Sequence, residues 1–278
     1  MADRREKLLE EARRKLKAAM LKRDAILLHT VGTINELNRA SNLLSGRLQE
    51  WYGMYFPELK LADAEKYARF VAMFDRKNLE KNTLSDLVGA EKASEIIRLA
   101  SSSIGIEPSP AELESVRKLA GEIVALHAVR DSIEELQAGI AKEVAPNLCH
   151  LVEPALAAKL IAQAGSIERL ASLPASTVQV LGAEKALFKH LRKGTRPPKY
   201  GIIFQHPLIS NAPPGHAGKL ARALATKLVI AAKADAFTKN FIAPRLKENF
   251  DKRVREIQAL LKKSGRSQPQ GRSSRWKR

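Results

Sequence analysis

The 278 residues carry 48 lysines and arginines against 30 acids, a formal charge of +18 with a pI near 10.1. That balance points to a polyanionic partner, and no apolar run approaches the roughly 20 residues of a membrane-spanning helix, which sets nucleic acid ahead of a membrane. Cys149 is the only cysteine, so disulfide frameworks and cysteine-based zinc clusters are excluded. The N-terminal stretch MADRREKLLEEARRKLKAAM is too charged and acidic for a signal or transit peptide, so an intracellular compartment is expected.

The charge is unevenly placed. Residues 1–180 balance 25 basic against 25 acidic side chains, whereas residues 181–278 carry 23 against 5. The excess therefore lies in the last third, as expected of a dedicated polyanion-binding region.

Aromatics are 5% of residues and alternating β-branched runs are nearly absent, which predicts an all-α fold. A first seam steps through Leu27, Thr30, Ile34, Leu37, Ser41, Leu44, Leu48 and Trp51 at coiled-coil spacing and ends at Gly53 and Pro57. The segment 61–100 reads as two shorter helices, YARFVAMF and GAEKASEIIRLA, with Lys77 to Asn82 as the turn between them. A second seam, Leu119, Ile123, Leu126, Arg130, Ile133, Gln137, Ile140 and Val144, follows a start signal at Ser109-Pro110 with Glu112 and Glu114 in the first turns. The two seams predict a long antiparallel coiled-coil hairpin over residues 1–155. Pro146 and Pro154 interrupt the pattern, and small residues dominate the helical domain that follows, 156–262. That domain contains a loop rich in Pro, Gly and His at 194–216. Residues 263–278, polar and basic, are expected to be a disordered tail.

No catalytic constellation emerges. The histidines at 29, 127, 150, 190, 206 and 216 include no His-x-x-x-His pair, so no metal or cofactor is expected. Pro214 to Lys219 has a superficial likeness to a phosphate loop, but Leu220 stands where Ser or Thr would hold magnesium and no strand precedes it. What the basic third offers is a helix start at Gly182-Ala183-Glu184-Lys185, where free N–H groups can donate to a phosphate, followed by Lys185, Lys189, Arg192 and Lys193. Composition is equally compatible with an ordinary capped helix bearing a solvated basic face. In the loop, prolines stiffen the backbone around Arg196, Lys199 and His206, which lowers the entropy lost on contacting RNA. His206, before Pro207, has two readings: stacking or donating to RNA, or capping the next turn.

The continuous stretch from LVEPALAAKLIAQAGSIERLASLPASTVQVLGAEKALFKHLRKG through TRPPKYGIIFQHPLISNAPPGHAGKLARALATKLVIAAKADAF resembles the signature of the Nop-domain family. NLLSGRLQEWYGMYFPEL at 42–59 resembles that family's first coiled-coil helix, and the resemblance covers roughly residues 5–262. It implies a non-catalytic scaffold of box C/D guide-RNA particles of the archaeal, cytoplasmic type, with the spliceosomal relative as the alternative. The implied partners are box C/D guide RNA, the small ribosomal-type protein that binds its kink-turn, and a second copy of the chain. Dimerisation through the coiled coil places Leu37, Leu44, Leu48, Ile123, Leu126 and Ile133 at or near the seam. The implied contact residues are Gly182 to Lys185, His206 of the Ile-Phe-x-His-Pro element, and Lys219 and Arg222 of the Gly-Lys-x-Ala-Arg helix. Family members carry a further N-terminal domain that holds the methyltransferase fibrillarin. With the chain starting at Met-Ala-Asp, fibrillarin retention is expected to be weak or absent.

Overall fold

The structure is a computed structural model that describes residues 4–6, 9–13, 23–213 and 215–265, with side chains to residue 259. Of the N-terminal apolar stripe Leu8, Leu9, Leu16 and Met20, only Leu9 is among the described residues, and it is exposed. Of the tail expected to be disordered, 266–278 lie outside the described residues, whereas 263–265 are helical, continuing the last helix. Among the described residues there is no strand, only an isolated bridge between Asp75 and Asn78, and the fold is all-α as expected. The chain divides into two compact units. One holds the described residues up to Val31 together with those from Gln137 onward, and the other holds Gly32–Leu136. Two long helices, α1 (Arg23–Tyr52) and α5 (Pro110–Val144), contribute to both.

In the Gly32–Leu136 unit, α1 stops at Tyr52. The α5 start is a reciprocal capping box: the Ser109 N–H donates to Glu112 Oε2 at 2.7 Å, and the Glu112 N–H donates to Ser109 Oγ at 3.3 Å. Between them lie α2 (Ala64–Met73), α3 (Lys81–Val88) and α4 (Ala90–Ser101). The helix α3 starts inside the segment read from sequence as a turn, because its Leu84 is fully buried in a core built around Phe56, Phe70, Ile96 and Ile123. Burial of that leucine outweighs the modest helix propensity of Asn82 and Thr83. Trp51, expected at the seam, is 36% exposed while Tyr52 beside it is 2% exposed. A helix of 3.6 residues per turn drifts off a 3.5-residue repeat, so the inward position moves on by one.

The seam in this unit is polar in the middle. Arg130 Nη1, which can only donate, lies 2.7 Å from His127 Nδ1. His127 therefore carries its proton on Nε2 and donates it to Ser41 Oγ, 2.7 Å away. Leu48 and Ile123 are buried, whereas Leu37, Leu44, Leu126 and Ile133 are half-buried.

In the other unit, Arg23 meets Glu143 at 2.7 Å and Gln137 Nε2 donates to Thr30 Oγ1 at 3.3 Å, so α1 and α5 run antiparallel there. Short helices follow: α6 (Pro146–Leu151), α7 (Pro154–Ala164), α8 (Ile167–Ser172), α9 (Ala175–Val180), α10 (Glu184–Lys193), a 3-10 turn (Ile202–Gln205) and α11 (Pro207–Ser210). Proline occupies the first turn of α6, α7 and α11, where its missing N–H has no cost. The unit is organised around α12 (Ala217–Lys233), which buries Leu220, Leu224 and Leu228 along with fully buried Ala221, Ala225, Ala231 and Ala232. Those small side chains let neighbouring helices approach closely. A π turn (Ala234–Thr238) and α13 (Ala243–Gly265) complete it.

Asp235 and Asn147, each 1% exposed, lock three of these elements together. Asp235 accepts from the Asn147 and Leu148 N–H groups, 3.0 Å each, and so caps α6 from within the π turn. Asn147 Nδ2 donates to Asp235 Oδ1 at 2.7 Å and to the Asn240 carbonyl at 2.9 Å. Its Oδ1 accepts from the Ile242 and Ala243 N–H groups at 2.7 and 2.9 Å, capping α13 in turn.

Candidate nucleic-acid interface

Helix α10 buries none of its residues. Lys185, Lys189 and Arg192 are exposed along it, and Phe188 and Leu191, 63% and 69% exposed, stand among them. The result is a basic helix with an uncovered apolar strip, and those two apolar residues were not singled out from sequence. Their signal was available, since a helix with no buried partner cannot hide a phenylalanine and a leucine one turn apart.

What aims α10 is the elbow at Gly182. Its φ is +84°, a conformation that favours glycine, and an added Cβ would run into the Ile202 side chain. Glu184 turns back on this elbow: its Oε1 accepts from the Gly182 N–H at 2.7 Å and from Gln163 Nε2 at 3.3 Å. Glu184 therefore closes the turn, while Ala183 is half-buried in it. The far end finishes on Gly194 in a left-handed conformation, and His190 Nδ1 donates to the Thr195 carbonyl. Arg192 and Lys193 in the last turn complement the negative end of the helix dipole.

The loop after α10 is strapped to the segment before it. Gln179 Nε2 donates to the Lys199 carbonyl at 2.7 Å, while the Gly201 N–H donates to the Gln179 carbonyl at 2.9 Å and the Ile202 N–H to the Leu181 carbonyl at 2.8 Å. Stacked rings of Tyr200 and Phe204, 4.6 Å apart, stiffen it further. Arg196 and Lys199 are exposed on this held backbone. A Cβ on Gly218 would lie only 3.7 Å from Lys199, so the lysine stem crosses the first turn of α12. Lys219 and Arg222 follow on the exposed side of that helix.

His206 is 8% exposed and takes the capping role of its two readings. Its Nδ1 accepts from the Leu208 N–H at 3.2 Å at the start of α11, and its ring sits edge-on to Phe250. Burial pushes the imidazole pKa below its ordinary value, with Lys247 adding to the effect and Glu153 and a hydrogen bond with the Leu151 backbone opposing it. His206 thus positions the loop from beneath.

No ion pair joins Lys185, Lys189, Arg192, Arg196, Lys199, Lys219 or Arg222 to an acid among the described residues, in contrast to the paired Arg39, Arg47 and Arg69 of the other unit. Beyond Arg222 the surface dips into a groove of about 500 Å³ between α12 and α13, which sequence reading did not find. Cys149 is half-buried against the core, and its thiol pKa is pushed up to about 12, chiefly by burial. Among the described residues no cluster of His, Cys, Asp or Glu is arranged to hold a metal, and no helix is long and apolar enough to cross a membrane.

Comparison with known proteins places this arrangement. An uncharacterised NOP5 family protein of Methanocaldococcus jannaschii is 43% identical over 251 residues, 89% of this chain and 60% of that protein. Nucleolar protein 58 of Scheffersomyces stipitis is 37% identical over 227 residues, 81% of this chain and 44% of that protein. A solved structure titled as a fibrillarin/Nop5p complex is similar at a TM-score of 0.55 and 26% identity, covering 91% of this chain and 77% of that one. The chain thus spans about half of the length of the curated relatives it matches. Residues 33–256 match the Nop family model, described as snoRNA binding domain, fibrillarin, and the chain belongs to that family.

Proposed function

We propose that this protein is a scaffold, without an active site of its own, for box C/D small ribonucleoprotein particles that guide 2′-O-methylation of ribosomal RNA. In this reading its basic unit docks on kink-turn RNA together with the small protein bound there, and fibrillarin is a partner of the whole protein. A second copy of the chain associates through the long helices.

The observation that carries the reading is the run of exposed, unpaired cations over α10, the strapped loop and the start of α12 in a member of the Nop family. Phosphates are met by cations that need not first break an ion pair, and the uncovered Phe188 and Leu191 suit the protein half of a composite surface. The test is binding of the full chain to a kink-turn RNA with and without the small kink-turn protein. Lys185→Glu/Lys189→Glu should weaken assembly at least tenfold with the helical circular dichroism unchanged. Equal assembly by the variant and the unmodified chain would refute the placement on α10, and no RNA binding by the unmodified chain at about 150 mM salt would refute the function.

A further inference from the structure

The groove between α12 and α13 has a composition that the rest of the molecule does not explain. Helix α13 turns Leu246, Phe250, Val254 and Ile257 into the core, a stripe at helical spacing. This stripe places Asn249, Lys252, Arg253 and Glu256 on the flank that faces α12. Helix α12 presents Lys219, Arg222 and Lys227 to the same groove. Arg253 is held by Glu256 at 2.6 Å, but no ion pair joins Lys219, Arg222, Lys227 or Lys252 to an acid among the described residues. Glu256, the acid in the lining, is taken up by Arg253, so the other cations converge from two walls in excess and repel one another, a cost that a bound anion reduces.

We infer that this groove is a binding site for the ribose-phosphate backbone of a single RNA strand, entered from Lys199 at the head of α12 and lined on both walls by Lys219, Arg222, Lys227 and Lys252. The inference rests on the RNA-binding reading above and extends it to residues outside the run on α10 and the loop. Three features favour a strand over a small anion. Lys219 and Lys227 are eight residues apart on one helix, about 12 Å along its axis, so the cations form a track longer than one phosphate. The track is continuous with an exposed loop cation, because the Lys199 stem lies against Gly218, next to Lys219. The groove also presents no aromatic ring among its lining residues, so it contacts backbone and not stacked bases, and it binds without sequence preference.

The groove is distinguishable from α10 by the salt dependence of RNA binding. Every phosphate that is no longer neutralised by a cation should flatten the slope of log K against log salt by about 0.7–0.9. Lys227→Gln/Lys252→Gln in the full chain should therefore flatten the slope for a fluorescently labelled kink-turn RNA by about 1.4–1.8 and weaken binding severalfold at 100 mM salt. Both positions lie at the groove surface, and unchanged thermal unfolding shows that the variant is weakened at the RNA and not in its fold. Lys185→Gln/Lys189→Gln serves as the parallel variant. An unaltered slope in the groove variant alongside a flattened one in the α10 variant overturns the groove and leaves the RNA reading standing. No slope in the unmodified chain overturns both. Loss of binding to one RNA sequence but not to another of the same shape overturns the backbone assignment.

Discussion

Truncating Asn147 to alanine should destabilise the basic unit more than any surface change in it. The side chain makes four hydrogen bonds, two donated and two accepted, at 2.7–2.9 Å. Asn147→Ala leaves the N–H groups of Ile242 and Ala243 and the carbonyl of Asn240 without partners, in a site where Asn147 is 1% exposed. An unsatisfied buried group costs about 1–3 kcal/mol, and such costs are less than additive when water can enter. A loss of about 3–5 kcal/mol follows, comparable with losing a helix cap and a buried polar pair together. For a chain of this size it corresponds to a fall in Tm of roughly 6–20 °C. The deficit should also depend on pH. Burial raises the Asp235 pKa above its ordinary value against hydrogen bonds from Asn147 and Leu148. The native state then holds that proton more tightly than the unfolded chain, so stability rises as pH falls from the native pKa toward about 3.9. Removing the Asn147 amide takes away one of the bonds that favour the carboxylate, which raises the native pKa further. The gap between variant and parent should therefore narrow as pH falls into that window. Urea unfolding followed by circular dichroism at pH 7 and pH 5 measures both effects. A loss below about 1 kcal/mol at pH 7 would refute the keystone role.

Because the folded state disfavours protonated His206, the unfolded chain takes up a proton near pH 6.5 that the native chain does not. His206 should therefore lower stability as pH drops below about 6.5, against the opposite contribution of Asp235, and His206→Asn, which keeps a capping side chain, should remove its share; a stability difference between parent and His206→Asn that is the same at pH 7 and pH 5 would contradict it. Gly182→Ala must accept both φ +84° and a clash with Ile202, whereas Gly215→Ala has φ +89° and nothing within 4 Å. The first should cost about 1–2 kcal/mol more than the second and weaken RNA binding by misaiming α10, and equal thermal shifts would exclude the elbow. Leu37 and Leu44 are only half-buried within one chain. If a second copy covers them, Leu44→Ala should raise the dimer dissociation constant at least tenfold, and sedimentation of the unmodified chain as a monomer at every concentration would dismiss the dimer.

Much of the fold was legible because its signals are local. Ser109 with Glu112, and Pro146 and Pro154 at the starts of α6 and α7, mark boundaries that the backbone then adopts, whereas the 3-10 turn and α11 lie inside a stretch read as loop. Helix α3 was not legible, because Lys81-Asn82-Thr83 has turn chemistry and only the burial of Leu84 in tertiary contact decides the matter. At the site, exposure of Lys185, Lys189 and Arg192 followed from composition, but the inward role of Glu184 depends on a glycine elbow whose angle no pattern encodes. His206 could be read two ways because capping and RNA contact call for the same residue type, and its burial against Phe250 comes from a helix far along the chain. The groove was invisible for a related reason. Arg222 and Asn249 face one another only because α12 and α13 pack, and neither helix alone shows more than a basic flank.

Polar pairs inside the long helices explain why these two helices settle in one alignment although leucines and isoleucines recur along both. In the unit that holds both residues, Thr30 Oγ1 accepts from Gln137 Nε2 while donating to the Leu27 carbonyl at 2.8 Å. In the other unit, Ser41 and His127 satisfy one another with Arg130 behind the ring. A slip of one heptad would set Gln137 against Leu37 and His127 against Leu48, leaving the buried Gln137 amide and the His127 Nε2–H without their partners at about 1–3 kcal/mol each. The apolar positions alone would tolerate such a slip, since leucine packs against leucine in either register. Thr30, Ser41, His127 and Gln137 thus weaken the seam as a hydrophobic contact and strengthen it as an address. Half-buried Leu37, Leu44, Leu126 and Ile133 then lie at fixed heights along the pair, which is the condition for a second copy of the chain to meet them in a single arrangement.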